Sequence, residues 1–176
     1  MATRVMAAPA RAVRVRRAAE TVARPAVTAY VALGANLGDA QATLRWALAA
    51  IGRLDGCHLT ASSSLYRTAP IDSSGPDYLN AVAAVQTTCT APDLLARLHQ
   101  LEQQAGRERP YRNAPRTLDL DILLFGDAQV HSAALTIPHP RMGQRAFVLV
   151  PLAEIAPDRV PAEQLQAVAA QACQRL

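Results

Sequence analysis

Apolar residues recur along this chain with two periods. Period two, the alternation of a half-buried strand, marks residues 27–33, 57–66, 78–87 and 118–124. Period 3.6 marks the stretches between them. Leu44, Ala47, Leu48, Ile51 and Leu54 form one helical stripe, with Asp39 placed to cap it. Leu94, Leu98, Leu101 and Ala105 form a second, opened by Thr90, Pro92 and Asp93 and closed by Gly106. In the 78–87 strand, Leu79, Ala81, Ala83 and Val85 share one face, and Tyr78, Asn80, Val82 and Ala84 the other. A short hairpin at 128–137, a helix around 147–155 and a last helix over 162–176 complete the pattern. The order β-α-β-β-α-β with C-terminal additions predicts an α+β, ferredoxin-like core: an antiparallel sheet flanked by helices in α-β-α layers. The first strand and the 118–124 strand are expected side by side in the sheet centre. The loops at 34–39, 68–76 and 107–115 would then converge beside them.

The 118–124 strand carries the one break in apolar patterning that has chemical content. Leu118, Leu120 and Ile122 share a face, and Asp119 and Asp121 the other. Residues two apart on a strand are separated by roughly 6.5–7 Å. Two carboxylates so placed are either a solvated acidic face or a pair holding a cation. Oxygen donors on a rigid strand suit Mg²⁺, which takes one or two carboxylates together with phosphate oxygens and water. Upstream, Arg107, Arg109, Arg112 and Arg116 crowd into ten residues. A cationic loop beside an anionic strand is the arrangement a metal–polyphosphate complex calls for. The loop at 34–39 is not a G-x-G-x-x-G, and by itself reads as a tight turn.

Charge and composition narrow the classes. Six of the 18 basic residues and one of the 14 acids fall in residues 1–25, leaving 12 arginines against 13 acids in residues 26–176. Bulk charge therefore does not make the main part a nucleic-acid binder. There is no lysine, so a Walker-A phosphate loop is excluded. Cys57, Cys89 and Cys173 are scattered and without C-x-x-C spacing, as expected of small apolar fillers in the reducing cytoplasm. No apolar run approaches the roughly 20 residues that span a bilayer. The arginine- and alanine-rich stretch 1–25 is expected to be a disordered extension or the product of an early start, with residues 26–176 forming a single domain.

Six stretches taken together resemble one family: A-L-G-A-N-L-G-D at 32–39, S-L-Y-R-T-A-P at 64–70, P-D-Y-L-N-A at 76–81, L-E-Q-Q-A-G-R at 101–107, A-P-R-T-L-D-L-D-I-L-L-F-G at 114–126 and P-H-P-R-M at 138–142. In order and spacing they are similar to the 6-hydroxymethyl-7,8-dihydropterin pyrophosphokinases of folate biosynthesis. The resemblance runs from about residue 27 to about residue 158, and its P-R-T-L-D-L-D element is the most specific part. It implies transfer of pyrophosphate from ATP to the hydroxymethyl group of the pterin, giving a diphosphate ester and AMP.

The resemblance also implies site residues. Asp119 and Asp121 would hold two Mg²⁺ ions, with Arg107 and Arg116 beside the phosphates. Tyr78 and Phe147 would sandwich the pterin ring, Asn80 would read its edge, and Gly34, Thr68 and Ile71 would complete that pocket. Glu102, Arg109, Arg116, Ile122, Thr136, His139 and Arg145 would line the ATP site. The chain departs from the family's pattern at Asn113–Ala114 and Ala69. It is expected to act as a monomer, without nucleic-acid or membrane partners. The competing reading is a ferredoxin-like nucleotide- or RNA-binding or regulatory module without catalysis. Such modules display aromatics for base stacking, and this chain is only 4% aromatic.

Overall fold

The computed structural model describes residues 24–70, 75–106 and 116–176. The elements run β1 (Val27–Ala35), α1 (Ala40–Ile51), β2 (Cys57–Ser62), β3 (Tyr66–Thr68), β4 (Tyr78–Thr87), α2 (Ala91–Gln104), β5 (Asp119–Phe125), β6 (Val130–His131), β7 (Thr136–Ile137), α3 (Ala146–Ile155), α4 (Ala162–Ala167) and β8 (Gln174–Arg175), with 3-10 turns at Met142–Gln144 and Pro157–Arg159. The main sheet has the order β5-β1-β4-β3-β8, with β2 also paired to β4. All of its pairings are antiparallel. This is the ferredoxin-like order expected from the alternation, extended by C-terminal elements.

Both helix starts form as their sequences direct. Asp39 accepts from the Ala42 N–H at 2.9 Å, and the Thr90 hydroxyl accepts from the Asp93 N–H at 3.2 Å. The helix α2 ends at Gly106, whose φ of +74° is a conformation only glycine adopts without strain. α1 and α2 bury Leu44, Ala47, Ile51, Leu94 and Leu98 against one sheet face, together with Val31, Leu33, Ala83, Val85, Leu118, Leu120 and Ile122. α3 covers the other face, packing Val148, Leu149 and Leu152 with Val82 and Leu123. The sheet is therefore buried on both sides, which is why β4 carries apolar residues on both of its faces.

Three expectations are corrected. The 57–66 strand is two strands, β2 and β3. At the break the Ser63 N–H donates to Val82 O, and the Ser63 hydroxyl accepts from the Val82 N–H at 3.0 Å. A side chain thus substitutes for a ladder bond. The 162–176 helix stops after one and a half turns. Its continuation is an edge strand paired with β3, Tyr66 against Arg175. Finally, β5 does neighbour β1, but as the edge of the sheet and not at its centre. Its outer edge is covered: the Leu120 N–H donates to Glu102 Oε1 at 2.7 Å, and Leu123 O accepts from the His139 N–H at 2.9 Å. Covered edges do not recruit foreign strands.

The three cysteines are half-buried free thiols. Among the described residues no helix is long and apolar enough to cross a membrane.

Candidate active site

α3 covers only part of its sheet face. Where it stops, three strands are left open in register. Gly34 on β1 lies opposite Asn80 on β4 and opposite Asp119 on β5. Two residues earlier, Ala32 lies opposite Val82 and Asp121. The floor of the opening is thus made of a glycine and an alanine of β1, with an amide on one side and two carboxylates on the other. A Cβ on Gly34 would lie 3.3 Å from Asn80 Oδ1, closer than ordinary contact, so a larger residue in the floor would press on that amide.

Above this floor is a cavity of about 340 Å³. It is of a size that holds a small ligand. Thr68, Ala69, Tyr78 and Asn80 form one wall, Arg116, Asp119 and Asp121 another, and His139, Arg141, Gln144, Arg145 and Phe147 the roof. The first wall is held from within. Asn80, 5% exposed, donates its amide to the Thr68 hydroxyl at 2.9 Å across β3 and β4. That bond fixes which edge of Asn80 faces the cavity.

The second wall is charged. Arg116 and Asp119 form an ion pair. Cation and carboxylate sit three residues apart, so the pair orients both groups toward the same opening. Arg116 is placed by its backbone. Its N–H donates to Asn36 Oδ1 at 2.8 Å, and its carbonyl accepts from the Asn36 N–H at 3.1 Å. The same Asn36 donates Nδ2 to Pro76 O at 3.2 Å. One buried amide thereby joins the glycine loop after β1, the segment leading into Tyr78 and the start of β5.

In the roof, Arg145 lies over the Phe147 ring at 5.3 Å, an attractive cation–ring arrangement. Burial, reinforced by Arg141, lowers the Arg145 guanidinium from its usual range, while Asp121 and Asp119 oppose that shift. Burial also pushes His139 below its usual value. Asp121 acts against this, and Arg145 and Arg141 act with it. His139 is therefore mostly neutral at pH 7, and its Nδ1 accepts from the Arg141 N–H at 3.3 Å. The proton of the neutral ring then sits on Nε2.

The structure gathers Gly34, Thr68, Tyr78, Asn80, Arg116, Asp119, Asp121, His139, Arg145 and Phe147 around one cavity. It does not bring Glu102, Ile122 or Thr136 to the lining. Glu102 is 3% exposed and accepts from the β5 edge, Ile122 is buried on the opposite face, and Thr136 pairs with His131 in the small hairpin. Ile71, Arg107 and Arg109, together with Asn113 and Ala114, lie outside the described residues. Sequence reasoning missed Asn36, Arg141 and Gln171. Asn36 and Arg141 both sit inside quoted motifs, in A-L-G-A-N-L-G-D and P-H-P-R-M, and that placement was the available signal. Gln171, in the tail, offered none.

Among the described residues no cluster of three or more His, Cys, Asp or Glu is assembled that could hold a metal alone. Two aspartates on one face nevertheless form an oxygen-only donor set facing a cavity lined with arginines. Such a set suits a hard divalent cation whose remaining ligands are phosphate oxygens and water.

Residues 30–157 match the family model described as 7,8-dihydro-6-hydroxymethylpterin-pyrophosphokinase. The chain is 47% identical over 135 residues to the 2-amino-4-hydroxy-6-hydroxymethyldihydropteridine pyrophosphokinase of Haemophilus influenzae, covering 76% of this chain and 84% of that protein. To the protein of the same description from Pseudomonas aeruginosa it is 46% identical over 134 residues, covering 75% and 83%. Among solved structures, a crystal structure of Plasmodium falciparum HPPK-DHPS superimposes with a TM-score of 0.62 at 16% identity, covering 83% of this chain and 42% of that one. An HPPK-DHPS in complex with substrates gives 0.61 at 14% identity, covering 81% and 43%. The chain thus spans less than half the length of these solved chains, and at such identities the likeness shows the fold alone.

Proposed function

The chain belongs to the 7,8-dihydro-6-hydroxymethylpterin-pyrophosphokinase family, and from that premise we propose how its residues divide the work. The reaction moves pyrophosphate from ATP to the hydroxymethyl group of 6-hydroxymethyl-7,8-dihydropterin, a step of folate synthesis. An oxygen–phosphorus bond forms between the hydroxymethyl oxygen and the β-phosphorus. The bond from the β-phosphorus to the α,β-bridging oxygen breaks, AMP leaves, and the hydroxyl proton is lost.

One observation carries the assignment: Gly34 stands in register between Asn80 and Asp119. The pterin side and the phosphate side of the cavity are therefore the two strands that flank β1, β4 and β5, in one sheet. On the pterin side, Tyr78 and Phe147 take the two ring faces, and Asn80 and Thr68 read the edge. Gly34 lets the ring approach the sheet backbone. Ile71 belongs to the same pocket by family position.

On the phosphate side, Asp119 and Asp121 hold Mg²⁺, and by the family resemblance two ions. Bound there, Mg²⁺ would neutralise phosphate charge and orient the polyphosphate. Arg116, Arg141 and Arg145 face the same charge directly, and by family position Arg107 and Arg109 serve it too. His139 offers its Nε2 N–H to a phosphate oxygen. Glu102, Ile122 and Thr136, away from the cavity itself, belong to the nucleotide end of the ATP site. No described residue is placed as an obvious general base, so the rate comes mainly from alignment and charge neutralisation.

Residues 26–176 act as one catalytic unit, monomeric and cytoplasmic, with no nucleic-acid partner and with residues 1–25 an appended extension. Titration of the pterin and of a non-hydrolysable ATP analogue with Mg²⁺ tests the division. Tyr78→Ala and Asn80→Ala should weaken mainly the pterin, and Arg116→Ala mainly the phosphate steps. Equal losses on both sides in all three variants would refute it.

A further inference from the structure

The roof of the cavity depends on a residue beyond the family match, which ends at residue 157. α3 begins at Ala146 with Arg145 as its cap residue, and Arg145 supplies no side-chain cap bond. The first N–H groups of a helix need acceptors from elsewhere. Here the acceptor comes from 25 residues away: the Ala146 N–H donates to Gln171 Oε1 at 2.9 Å. The other half of the same amide, Gln171 Nε2, donates to Gln144 O at 2.9 Å. Gln171 thus spans the junction between the 3-10 turn at Met142–Gln144 and α3, bracketing Arg145 and standing one residue before Phe147.

Gln171 is itself held. Val168, 2% exposed, and Cys173 both pack into the second core. The Gln171 N–H closes a turn on Val168 O at 2.9 Å. Past it, Arg175 donates to Ser64 Oγ at 2.9 Å and pairs with Glu154 at 3.1 Å, and the Leu176 N–H donates to Leu65 O at 2.9 Å. The tail therefore runs from the roof of the cavity to β3, the strand that carries Thr68. Gln171 also lines the cavity.

We infer that Gln171 is a positioning residue for the pterin site: its amide fixes the Gln144–Ala146 backbone, and so the Phe147 ring and the Arg145 guanidinium above it. This rests on the reading of Phe147 as one face of the pterin sandwich. A ring held in place before binding is not ordered at the expense of affinity. ATP feels the same bond only through Arg145, one of several phosphate-facing groups, so its affinity falls less than that of the pterin.

The test uses the full chain, as wild type and as Gln171→Met and Gln171→Glu. Methionine keeps the shape and loses both hydrogen bonds. Glutamate keeps the acceptor for Ala146 and loses the donor toward Gln144. Isothermal titration with 6-hydroxymethyl-7,8-dihydropterin, and separately with a non-hydrolysable ATP analogue and Mg²⁺, gives two affinities per variant. A pocket whose binding-ready arrangement is populated about a tenth of the time binds about tenfold more weakly. The expected result is pterin affinity down about tenfold in Gln171→Met, partly recovered in Gln171→Glu, with a smaller fall in ATP-analogue affinity and a melting temperature lowered by only a few degrees. Unchanged pterin affinity in Gln171→Met overturns the inference, as do parallel losses for both ligands with a large fall in melting temperature. Wild-type protein that binds no pterin overturns the underlying reading together with the inference.

Discussion

Gly34 and Asn80 face each other across β1 and β4, and a Cβ on Gly34 would lie 3.3 Å from Asn80 Oδ1. That separation is tighter than ordinary contact. Gly34→Ala would therefore press on an amide whose other end is bonded to Thr68 at 2.9 Å. Gly34 does not have the positive φ that demands glycine, so backbone strain is not the mechanism. The expected outcome is a fold of near-normal stability with pterin affinity reduced about tenfold or more, since one displaced hydrogen bond at a polar recognition site is worth about 1–2 kcal/mol. Calorimetric titration of pterin and ATP analogue, beside a melting curve, checks it. Unaltered pterin binding would remove Gly34 from the pocket.

Asp121→Asn keeps the size of the side chain and removes its charge. Asp121 is half-buried on the site face, away from the Leu118, Leu120 and Ile122 core face, so stability should change little. Removal of one electrostatic element of this kind slows chemistry by about 10²–10³, and by more when it ligates a metal. Single-turnover kinetics at saturating Mg²⁺ would show that fall. A rate within a few-fold of wild type would contradict the metal assignment.

Asn36→Ala would break two bonds at once, to the Arg116 N–H at 2.8 Å and to Pro76 O at 3.2 Å. Asn36 is 4% exposed, so the groups it leaves are poorly solvated and stability should fall by about 1–3 kcal/mol. Turnover should fall as well, because Arg116 and the segment before Tyr78 lose a common anchor. Urea unfolding and initial rates on one preparation test both. Stability loss without any change in rate would show that the staple does not serve the site.

Glu154 gathers the Tyr66 hydroxyl at 2.8 Å, the Ser64 hydroxyl at 2.8 Å and the Arg175 guanidinium at 3.1 Å. Burial alone would raise its carboxyl, but the hydrogen bonds from Tyr66 and Ser64 and the charge of Arg175 outweigh it and lower the value below the usual 4.5. The same cluster pushes the Tyr66 phenol up to about 12, first by burial and then through Glu154. The sign for Glu154 follows: with the folded value below the unfolded one, its stabilisation is fully present above the unfolded value and is lost as pH falls through the folded one. Melting temperature should therefore drop more steeply on acidification below about pH 4.5 in wild type than in Glu154→Gln. Parallel curves for the two proteins would refute this.

Much of this was legible in the sequence, for reasons tied to sequence distance. Local signals worked. Asp39 and Thr90 cap their helices within three residues, and the apolar run that follows the 68–76 segment marks β4 at its observed bounds, Tyr78 and Thr87. The alternation of Leu118, Leu120 and Ile122 with the two aspartates correctly separated the core face of β5 from the site face. What failed to show was set by distant partners. Ser63 breaks a continuous strand by bonding Val82, 19 residues on. Asn36 takes its role from Arg116, 80 residues away, and the tail becomes a strand because β3 offers it an edge. Periodicity places side chains on faces and does not reveal which polar group a buried amide will find.

Transfer of the β- and γ-phosphates together is what separates this chemistry from that of an ordinary kinase. Phosphorus NMR of a reaction containing the full chain, ATP, Mg²⁺ and 6-hydroxymethyl-7,8-dihydropterin measures it directly. The account predicts AMP and a new diphosphate ester in equal amounts, with no ADP. ADP with a monophosphate ester would contradict it and make the protein a kinase of the ordinary kind.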